Sequence, residues 1–315
     1  MTMSKPSYQA IDYRLRPAKA VERKMLADLF RALDRASSLK HYQYIGFGSP
    51  YFSDFNLFHR ALDIQSMISI ERELGDQERF EFNRPFAAVD LRFGESSEIL
   101  PEIEWHQKAI VWLDYDDPLE LSMLDDIALC VRNVPSGSIV LATASAQPNP
   151  EIGERVDELR DRLDTYIHPG TDASQLGGWN LADLYRRIID EKISEAIRDR
   201  NTLRGSKLPV RYEQLINFQY ADGAKMTTVG GIVLDEADQI SYRVCAFDKY
   251  EFYRSESNSY RINIPKLTPK EIRHLDSFLP CDDTLDATSI GIPLNQSAKY
   301  RALYRYFPRY VDADL

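Results

Sequence analysis

The chain has 315 residues, 43% of them apolar and 28% charged, with a formal net charge of −10 at pH 7. This composition is typical of a soluble globular protein with an ordinary packed core, and its negative field repels phosphates, which argues against a dedicated nucleic-acid binder. No apolar run approaches the roughly 20 residues that span a bilayer, and residues 1–16 carry no signal-peptide pattern, so we expect a cytoplasmic protein without a membrane partner.

The three cysteines, Cys130, Cys245 and Cys281, lie far apart and form no CxxC pair. A zinc site built on thiolates is therefore not expected. A disulfide framework is not expected either, because a cytosolic chain of this size keeps its thiols reduced.

The N-terminal part of the chain predicts one helix, over about residues 18–36. Its apolar residues recur at spacings of three and four, from Val21 to Leu33, as they do along one face of an amphipathic helix. Five basic residues lie in or just before this helix: Arg14, Arg16, Lys19, Arg23 and Lys24. We interpret this basic cluster as a solvated helix face, with contact to a phosphate-bearing acceptor as the alternative.

Five short apolar segments follow, and helical patterns or turns separate them. They predict strands over residues 42–47, 66–71, 86–91, 108–113 and 137–143, with helices over about 51–62, 75–83 and 119–132. Short, mostly apolar strands that alternate with helices indicate a parallel sheet covered on both faces. We therefore predict a doubly wound α/β fold.

The character of the sequence changes after Ala144. Charged helices are predicted over about 151–166 and 181–201, and a β-hairpin over 214–220 and 225–234. Residues 240–247 suggest another strand, and helices are predicted over 265–278, which begins with a capping-box spacing, and about 297–306. The expected sheet is mostly parallel and seven-stranded, with an antiparallel β-hairpin at its edge and added helices.

The first strand ends in a glycine turn. Residues 44–49 (YIGFGS) finish the strand and begin the helix, and glycines at such a place let a ligand approach the backbone closely. Glu71 ends the second strand, about 25 residues after Gly46. In Rossmann-like folds a carboxylate at that position accepts hydrogen bonds from ribose hydroxyls.

The next two strands also end in polar residues. Residues 94–96 (GES) follow the third strand and residues 114–116 (DYD) follow the fourth. The carboxyl ends of parallel strands meet at one edge of the sheet, where open α/β folds bind ligands. Four consecutive strands thus bring polar or glycine residues to one rim, and this coincidence indicates a nucleotide site more strongly than any single motif.

These four stretches, in this order, resemble the class I S-adenosylmethionine-dependent methyltransferases over about residues 40–145, and the hairpin is similar to their antiparallel sixth and seventh strands. The resemblance implies an enzyme whose cofactor is S-adenosyl-L-methionine. It implies that Gly46 and Gly48 pack against the methionine part and the ribose. It also implies that Glu71 binds the ribose, that Glu95 lies near the adenine, and that Asp114 lies beside the transferred methyl group. The full cofactor-binding set comprises Gly46, Phe47, Gly48, Ser49, Glu71, Gly94, Glu95, Ser96 and Asp114.

The chain departs from the family pattern in several places. Tyr44 stands two residues before the first glycine, where the family often has an acidic residue, and Ser49-Pro50 occupies the third glycine position. Residues 112–116 (WLDYD) resemble the strand of O-methyltransferases that hold a divalent metal, but residues 143–145 (TAS) replace their Asp-Asn pair. Because a metal requires several oxygen ligands at once, we predict no metal site.

The predicted elements divide the chain into five parts. Residues 1–36 form an N-terminal extension with its helix, 37–145 the Rossmann-like nucleotide-binding core, and 146–208 a helical insertion. Residues 209–247 form the hairpin region that completes the sheet, and 248–315 a C-terminal extension. The segments outside the core are expected to shape acceptor specificity.

Methyl transfer requires a general base only if the acceptor is protonated at the working pH. Asp114 is the first candidate for this base and Asp116 the second. A non-catalytic adenosyl- or nucleotide-binding regulatory or scaffold protein on the same fold is the alternative, because a fold alone does not establish catalysis. A nicotinamide dehydrogenase is a weaker alternative, because GxGxxG is absent. The acceptor stays open among small molecule, protein and nucleic acid, and so does a homodimer or a protein partner.

Overall fold

The structure is a computed structural model that describes residues 16–203 and 209–308. Eight strands form one sheet in the described part. They are β1 (Tyr42–Gly46), β2 (Ser66–Glu71), β3 (Val89–Phe93), β4 (Lys108–Pro118), β5 (Ser138–Ser145), β6 (Val210–Asp222), β7 (Ala224–Asp235) and β8 (Tyr260–Ile262).

Ten α-helices surround the sheet in the same residues. They are α1 (Pro17–Leu33), α2 (Ser53–Leu62), α3 (Gln77–Asn83), α4 (Ser96–Ile99), α5 (Leu121–Asn133), α6 (Arg155–Leu163), α7 (Asn180–Leu203), α8 (Asp238–Tyr242), α9 (Pro269–Asp276) and α10 (Leu294–Leu303). Among the described helices, none combines the length and the apolar character needed to cross a bilayer.

The strand order is β3-β2-β1-β4-β5-β7-β6-β8. Strands β1 to β5 are parallel, whereas β7 is antiparallel to both β5 and β6. Because Ser145 at the carboxyl end of β5 pairs with Met226 near the start of β7, the hairpin turn lies at the carboxyl edge of the parallel strands. The predicted mixed, doubly wound sheet with an antiparallel edge hairpin is confirmed.

The two faces of the sheet bury separate cores, because side chains alternate along each strand. One core contains Tyr44 and Trp112 and packs against α1 and α2. The other contains Ile45 and Val111 and packs against α5 and α7. The sheet is therefore covered on both sides, and its carboxyl edge remains available for a site.

Two details differ from the sequence-based expectation. The strand suggested for residues 240–247 is wrong: α8 and two short 3-10 turns occupy this segment. Its apolar residues anchor turns instead, since the Tyr242 hydroxyl bonds Tyr42 at 2.8 Å and Cys245 is buried. The eighth strand, β8, is a three-residue element that pairs parallel to β6, and it is too short to show a periodic pattern.

The strand β4 continues beyond its predicted end at residue 113. It runs to Pro118, and its pairing with β5 is irregular between Asp114 and Pro118. Such irregularities bend a strand and redirect its side chains, and they are frequent next to active sites. The aspartates after the apolar part of β4 are therefore carried by the strand itself.

The first helix is fixed to the hairpin turn by one carboxylate. Asp222 accepts hydrogen bonds from the backbone amides of Ala18 (3.0 Å) and Lys19 (2.9 Å). These amides belong to the first turn of α1, where no intrahelical partner exists and where the helix dipole favours a negative charge. A residue about 200 positions later thus supplies the N-terminal cap of α1.

We predict that Asp222→Ala lowers the free energy of unfolding by about 1 kcal/mol, the usual effect of losing a helix cap. Chemical denaturation followed by circular dichroism measures this change. Asp222→Asn is the matched control, because it keeps an acceptor oxygen and should retain most of the stability. Equal stability of Asp222→Ala and the wild type would show that the cap does not hold α1.

Candidate active site

A cleft opens at the carboxyl edge of the parallel strands. It encloses about 890 Å³ of empty space, part of it open to solvent. Its lining includes most of the predicted site residues: Phe47, Gly48, Ser49, Glu71, Gly94, Glu95, Ser96, Asp114 and Asp116. Gly46 does not line it and lies beneath the loop, where a Cβ atom would come within 2.7 Å of the Tyr44 hydroxyl.

Glu71 faces the glycine loop. Its Oε1 accepts hydrogen bonds from the backbone amide of Gly48 (2.9 Å) and from the hydroxyl of Ser69 (2.5 Å). The residue is only 5% exposed, and this burial raises the pKa of its carboxyl to about 7, against the lowering effect of the Ser69, Gly48 and Ser49 hydrogen bonds. The neighbouring ends of β1 and β2 are thus joined through one carboxyl group.

Gly48 leaves no room for a side chain. A Cβ atom there would lie 2.5 Å from Ser69 Oγ, 2.7 Å from Glu71 Oε1 and 2.7 Å from Phe52 Cδ1. These distances are well inside van der Waals contact, so only glycine fits with the carboxyl of Glu71 in place. The second glycine of the loop is therefore required by packing against β2.

Asp54 supplies a buried acid near the loop, where the sequence motif has Tyr44 instead. Asp54 lies in the first turn of α2, and its Oδ2 accepts a hydrogen bond from the Tyr44 hydroxyl. Burial raises the pKa of Asp54, while Arg23 and the Tyr44 hydrogen bond lower it. Sequence reasoning missed Asp54 because its nearness to Tyr44 depends on how α2 folds back over β1.

The ends of β3 and β4 are joined by Asp126 of α5. Its Oδ2 accepts hydrogen bonds from the hydroxyls of Ser96 (2.5 Å) and Tyr115 (2.7 Å). The Ser96 hydroxyl is therefore engaged by a helix side chain, although the residue lines the cleft. Tyr115 also packs edge-on against Phe47, with ring centroids 5.1 Å apart. This contact forms an aromatic part of the cleft wall.

Asp114 is held by a lysine from the first helix. Lys19 is fully buried, and its Nζ lies 2.5 Å from Asp114 Oδ1, 2.8 Å from Glu22 Oε2 and 3.0 Å from the Tyr220 hydroxyl. The same ammonium lies over the ring of Trp112, 4.3 Å from its centroid. The ammonium thus donates hydrogen bonds to Asp114 and Tyr220 and forms an ion pair with Glu22, and these contacts hold the Asp114 carboxylate against α1.

The other aspartates of β4 pair with arginines. Asp116 Oδ1 lies 3.5 Å from the guanidinium of Arg16, and Asp117 Oδ2 lies 3.2 Å from that of Arg72. The pair between Asp117 and Arg72 is more than half exposed on both sides, so water screens it. Asp114 and Asp116 both line the cleft, but different cations hold them.

The described part of the basic cluster is not a solvated face, contrary to the sequence-based interpretation; Arg14 lies outside the described residues. Arg16, Lys19 and Arg23 are all buried. Arg16 and Lys19 pair with aspartates of β4, and Arg23 lines the cleft near β1 and α2. The sequence pattern alone does not show that these elements come together. A weak signal existed, since Lys19, Glu22 and Arg23 share one helix face at spacings of three and four.

The metal-type resemblance of β4 has no counterpart on β5. The Thr143 hydroxyl accepts a hydrogen bond from Trp112 Nε1 (2.9 Å) and bonds the Thr228 hydroxyl (2.8 Å). Within residues 16–203 and 209–308, no three His, Cys, Asp or Glu side chains converge as metal ligands.

This sheet order, with a glycine loop and a buried glutamate at neighbouring strand ends, is the arrangement typical of class I S-adenosylmethionine-dependent methyltransferases. The chain belongs to the family described as "Putative O-methyltransferase", whose sequence pattern matches residues 11–315. It is a methyltransferase enzyme that uses S-adenosyl-L-methionine. None of the curated proteins compared with the sequence matches it.

Two solved structures are similar to this chain at low sequence identity. The O-methyltransferase TomG from Streptomyces achromogenes, which takes part in tomaymycin synthesis and was solved with its cofactor, is 17% identical; the match covers 73% of this chain and 92% of TomG, with a TM-score of 0.33. Trm1 from Pyrococcus horikoshii, in complex with S-adenosyl-L-methionine, is 12% identical over 94% of this chain and 76% of Trm1, with a TM-score of 0.47.

We predict that Gly48→Ala destabilises the fold by about 1–3 kcal/mol, the usual effect of overpacking, and weakens binding of S-adenosylhomocysteine. The added methyl must displace Ser69 and Glu71, on which the cradle depends. Denaturation and calorimetry measure the two effects. Gly75→Ala is the control, because nothing lies within 4 Å of its Cβ position. Normal stability and binding in Gly48→Ala would contradict the packing argument.

Proposed function

We propose that this enzyme transfers the methyl group of S-adenosyl-L-methionine to an oxygen atom of its acceptor, in the cleft at the carboxyl edge of β1 to β4. The observation that carries the assignment of the cleft is the hydrogen bond from the Gly48 amide to Glu71. The oxygen specificity is supported by the description of the family to which the chain belongs.

The residues of the cleft fit the cofactor. The hydrogen bonds from Gly48 and Ser69 arrive at Oε1 of Glu71, so we assign Oε2 to a ribose hydroxyl. The backbone of Phe47, Gly48 and Ser49 would pack against the methionine part and the ribose, and Gly48 has no side chain in the way. Glu95 follows β3, on the far side of β2, where it would lie near the adenine.

When bound, the cofactor supplies an electrophilic methyl group on a sulfonium, and the protein supplies orientation and electrostatics. We assign Asp114 as the residue that contacts the methyl acceptor and serves as its general base. With Oδ1 against Lys19, its other oxygen can accept a hydrogen bond, and then the proton, from an acceptor hydroxyl. Asp116 is the second candidate, but its pairing with Arg16 reduces its freedom.

Lys19 is a positioning residue in this scheme. Its buried ammonium is surrounded by Asp114, Glu22 and Tyr220, so its charge is already paired within the protein. It acts by fixing the Asp114 carboxylate, and Glu22 is fixed in turn by the Thr228 hydroxyl. The N-terminal helix would therefore be part of the reaction centre and not only of acceptor specificity.

The charge of the cleft limits the acceptor class. Six carboxyl groups line it, on Glu71, Glu73, Glu95, Asp114, Asp116 and Asp117, against the guanidiniums of Arg23 and Arg72. Such a surface attracts cations and repels anions. A neutral or cationic hydroxyl compound fits the cleft better than a phosphate-bearing acceptor.

We predict that affinity for S-adenosylhomocysteine rises with pH. The pKa of Glu71 is raised to about 7, so at lower pH its carboxyl is mostly protonated and must lose its proton before Oε2 accepts from the ribose. The dissociation constant should therefore be about tenfold higher at pH 6 than at pH 8. Calorimetry at a series of pH values measures it.

Two variants test whether Glu71 causes this dependence. Glu71→Gln cannot ionise, so its weaker binding should not follow this pH course. Glu73→Gln removes the same charge from the same cleft and should keep the wild-type course. A wild-type affinity that is flat between pH 6 and pH 8, or a slope that survives in Glu71→Gln, contradicts the ribose assignment.

The methyl-transfer test uses S-adenosyl-L-methionine with a labelled methyl group and fractionated cell extracts. We expect the label to enter an acceptor as a methyl ether or a methyl ester. The labelled product should survive treatment with mild acid, and its chemical analysis identifies the bond. Asp114→Asn should reduce the rate by about 10²- to 10⁴-fold, the usual contribution of a general base. Asp117→Asn, three residues away, should keep most of the rate. Binding of the cofactor without any label transfer would favour a non-catalytic binding protein.

A further inference from the structure

One buried cation in the cleft has no partner among the described residues. Arg23 lies on α1, is 8% exposed, and lines the cleft together with Gly48 and Asp114. Its Nε has no hydrogen-bond partner, and the guanidinium forms no ion pair within residues 16–203 and 209–308. A buried charge is costly unless it is paired, so this position calls for an anion.

The neighbouring cations in or just before the same helix differ from Arg23. Lys19, one turn earlier, has two carboxylates against its ammonium, and Arg16 has Asp116. The acid that faces Arg23 is Asp54, which acts on it electrostatically but bonds the Tyr44 hydroxyl instead. The desolvation of Asp54 also disfavours its charged form. Arg23 is therefore not neutralised in the way that Lys19 and Arg16 are.

The place of Arg23 along the cleft indicates which anion it meets. The strand order puts the four strand ends in the sequence β3, β2, β1, β4, about 4.8 Å apart. In the proposed site Glu95 and Glu71 mark the adenine and ribose on β3 and β2. Arg23 instead interacts electrostatically with Tyr44 of β1 and with Asp54 of α2. It lies beside the glycine loop at the β1 side of the cleft, where the amino-acid part of the cofactor would lie in the proposed site.

We propose that Arg23 binds the α-carboxylate of the methionine part of S-adenosyl-L-methionine, so that the N-terminal helix completes the cofactor site. This inference rests on the proposed function. A guanidinium presents two parallel N–H donors that match the two oxygens of a carboxylate, and such charge-assisted pairs are strong in a water-poor site. The positive charge that the ligand carboxylate requires would thus come from α1 and not from the strands of the sheet.

Two adenosyl compounds separate the carboxylate from the rest of the ligand. S-adenosylhomocysteine carries the amino-acid part, and 5′-methylthioadenosine lacks it. We expect Arg23→Met to weaken binding of the first by about 10- to 100-fold and to change binding of the second by less than about threefold. Arg23→Lys keeps the charge without the planar fork and should fall between. Isothermal calorimetry at one pH measures all combinations.

The melting temperature of the ligand-free variants separates a binding role of Arg23 from a structural one. A structural role predicts that the melting temperature falls when Arg23 is replaced. Because Arg23→Met removes an unpartnered buried cation, its melting temperature without ligand should equal or exceed that of the wild type. A marked fall in melting temperature, with equal losses for both compounds, would overturn the assignment. Arg72→Met is the matched control, since it removes an exposed, paired arginine from the same cleft and should affect neither compound by more than about threefold.

The two levels of the proposal fail in different ways. If neither adenosyl compound binds the wild type, the proposed cofactor cleft is wrong. If both bind the wild type and Arg23→Met leaves their ratio unchanged, the cleft stands and the role of Arg23 is wrong. In that case the arginine does not contact the amino-acid carboxylate.

Discussion

The hydrogen bond between the Gly48 amide and Glu71 ties the first two strand ends into one cradle. It is possible only because β1 and β2 are parallel neighbours in register and because position 48 has no side chain. The carboxyl is held by Ser69 on its own strand as well. The glycine loop, the buried glutamate and the serine thus depend on one another, and the shape of the cleft depends on all three.

Burial gives this contact its chemical character. Taking the Glu71 carboxyl out of water favours its neutral form, so the group titrates near neutrality and not in the acidic range. The same desolvation strengthens every hydrogen bond made to the ionised form. In the proposed cofactor site, a carboxyl in this state would couple ligand binding to proton release, which a solvent-exposed glutamate would not do in the physiological range.

The N-terminal helix adds charge to an otherwise apolar interface. Its cap is the distant Asp222, its Lys19 fixes Asp114, and its Arg23 reaches the cleft. Because these cations are buried at the end of the sheet, the helix cannot be removed without exposing or unpairing carboxylates of the core strands. The extension and the core strands are therefore joined by buried charges at one cleft, although the sequence indicates them as separate parts.

The sequence by itself determined most of the elements and the rim. Apolar strands alternating with helices have only a few ways to bury both faces, and parallel strands bring their carboxyl ends to one edge, so Gly48, Glu71 and Asp114 could be assigned together. Tertiary structure alone decided which charges are buried. Lys19 meets Asp114 across 95 residues, and the short strand β8 forms only against β6. Local periodicity cannot carry such information, because whether a basic residue is solvated depends on partners that the chain brings near only when it folds.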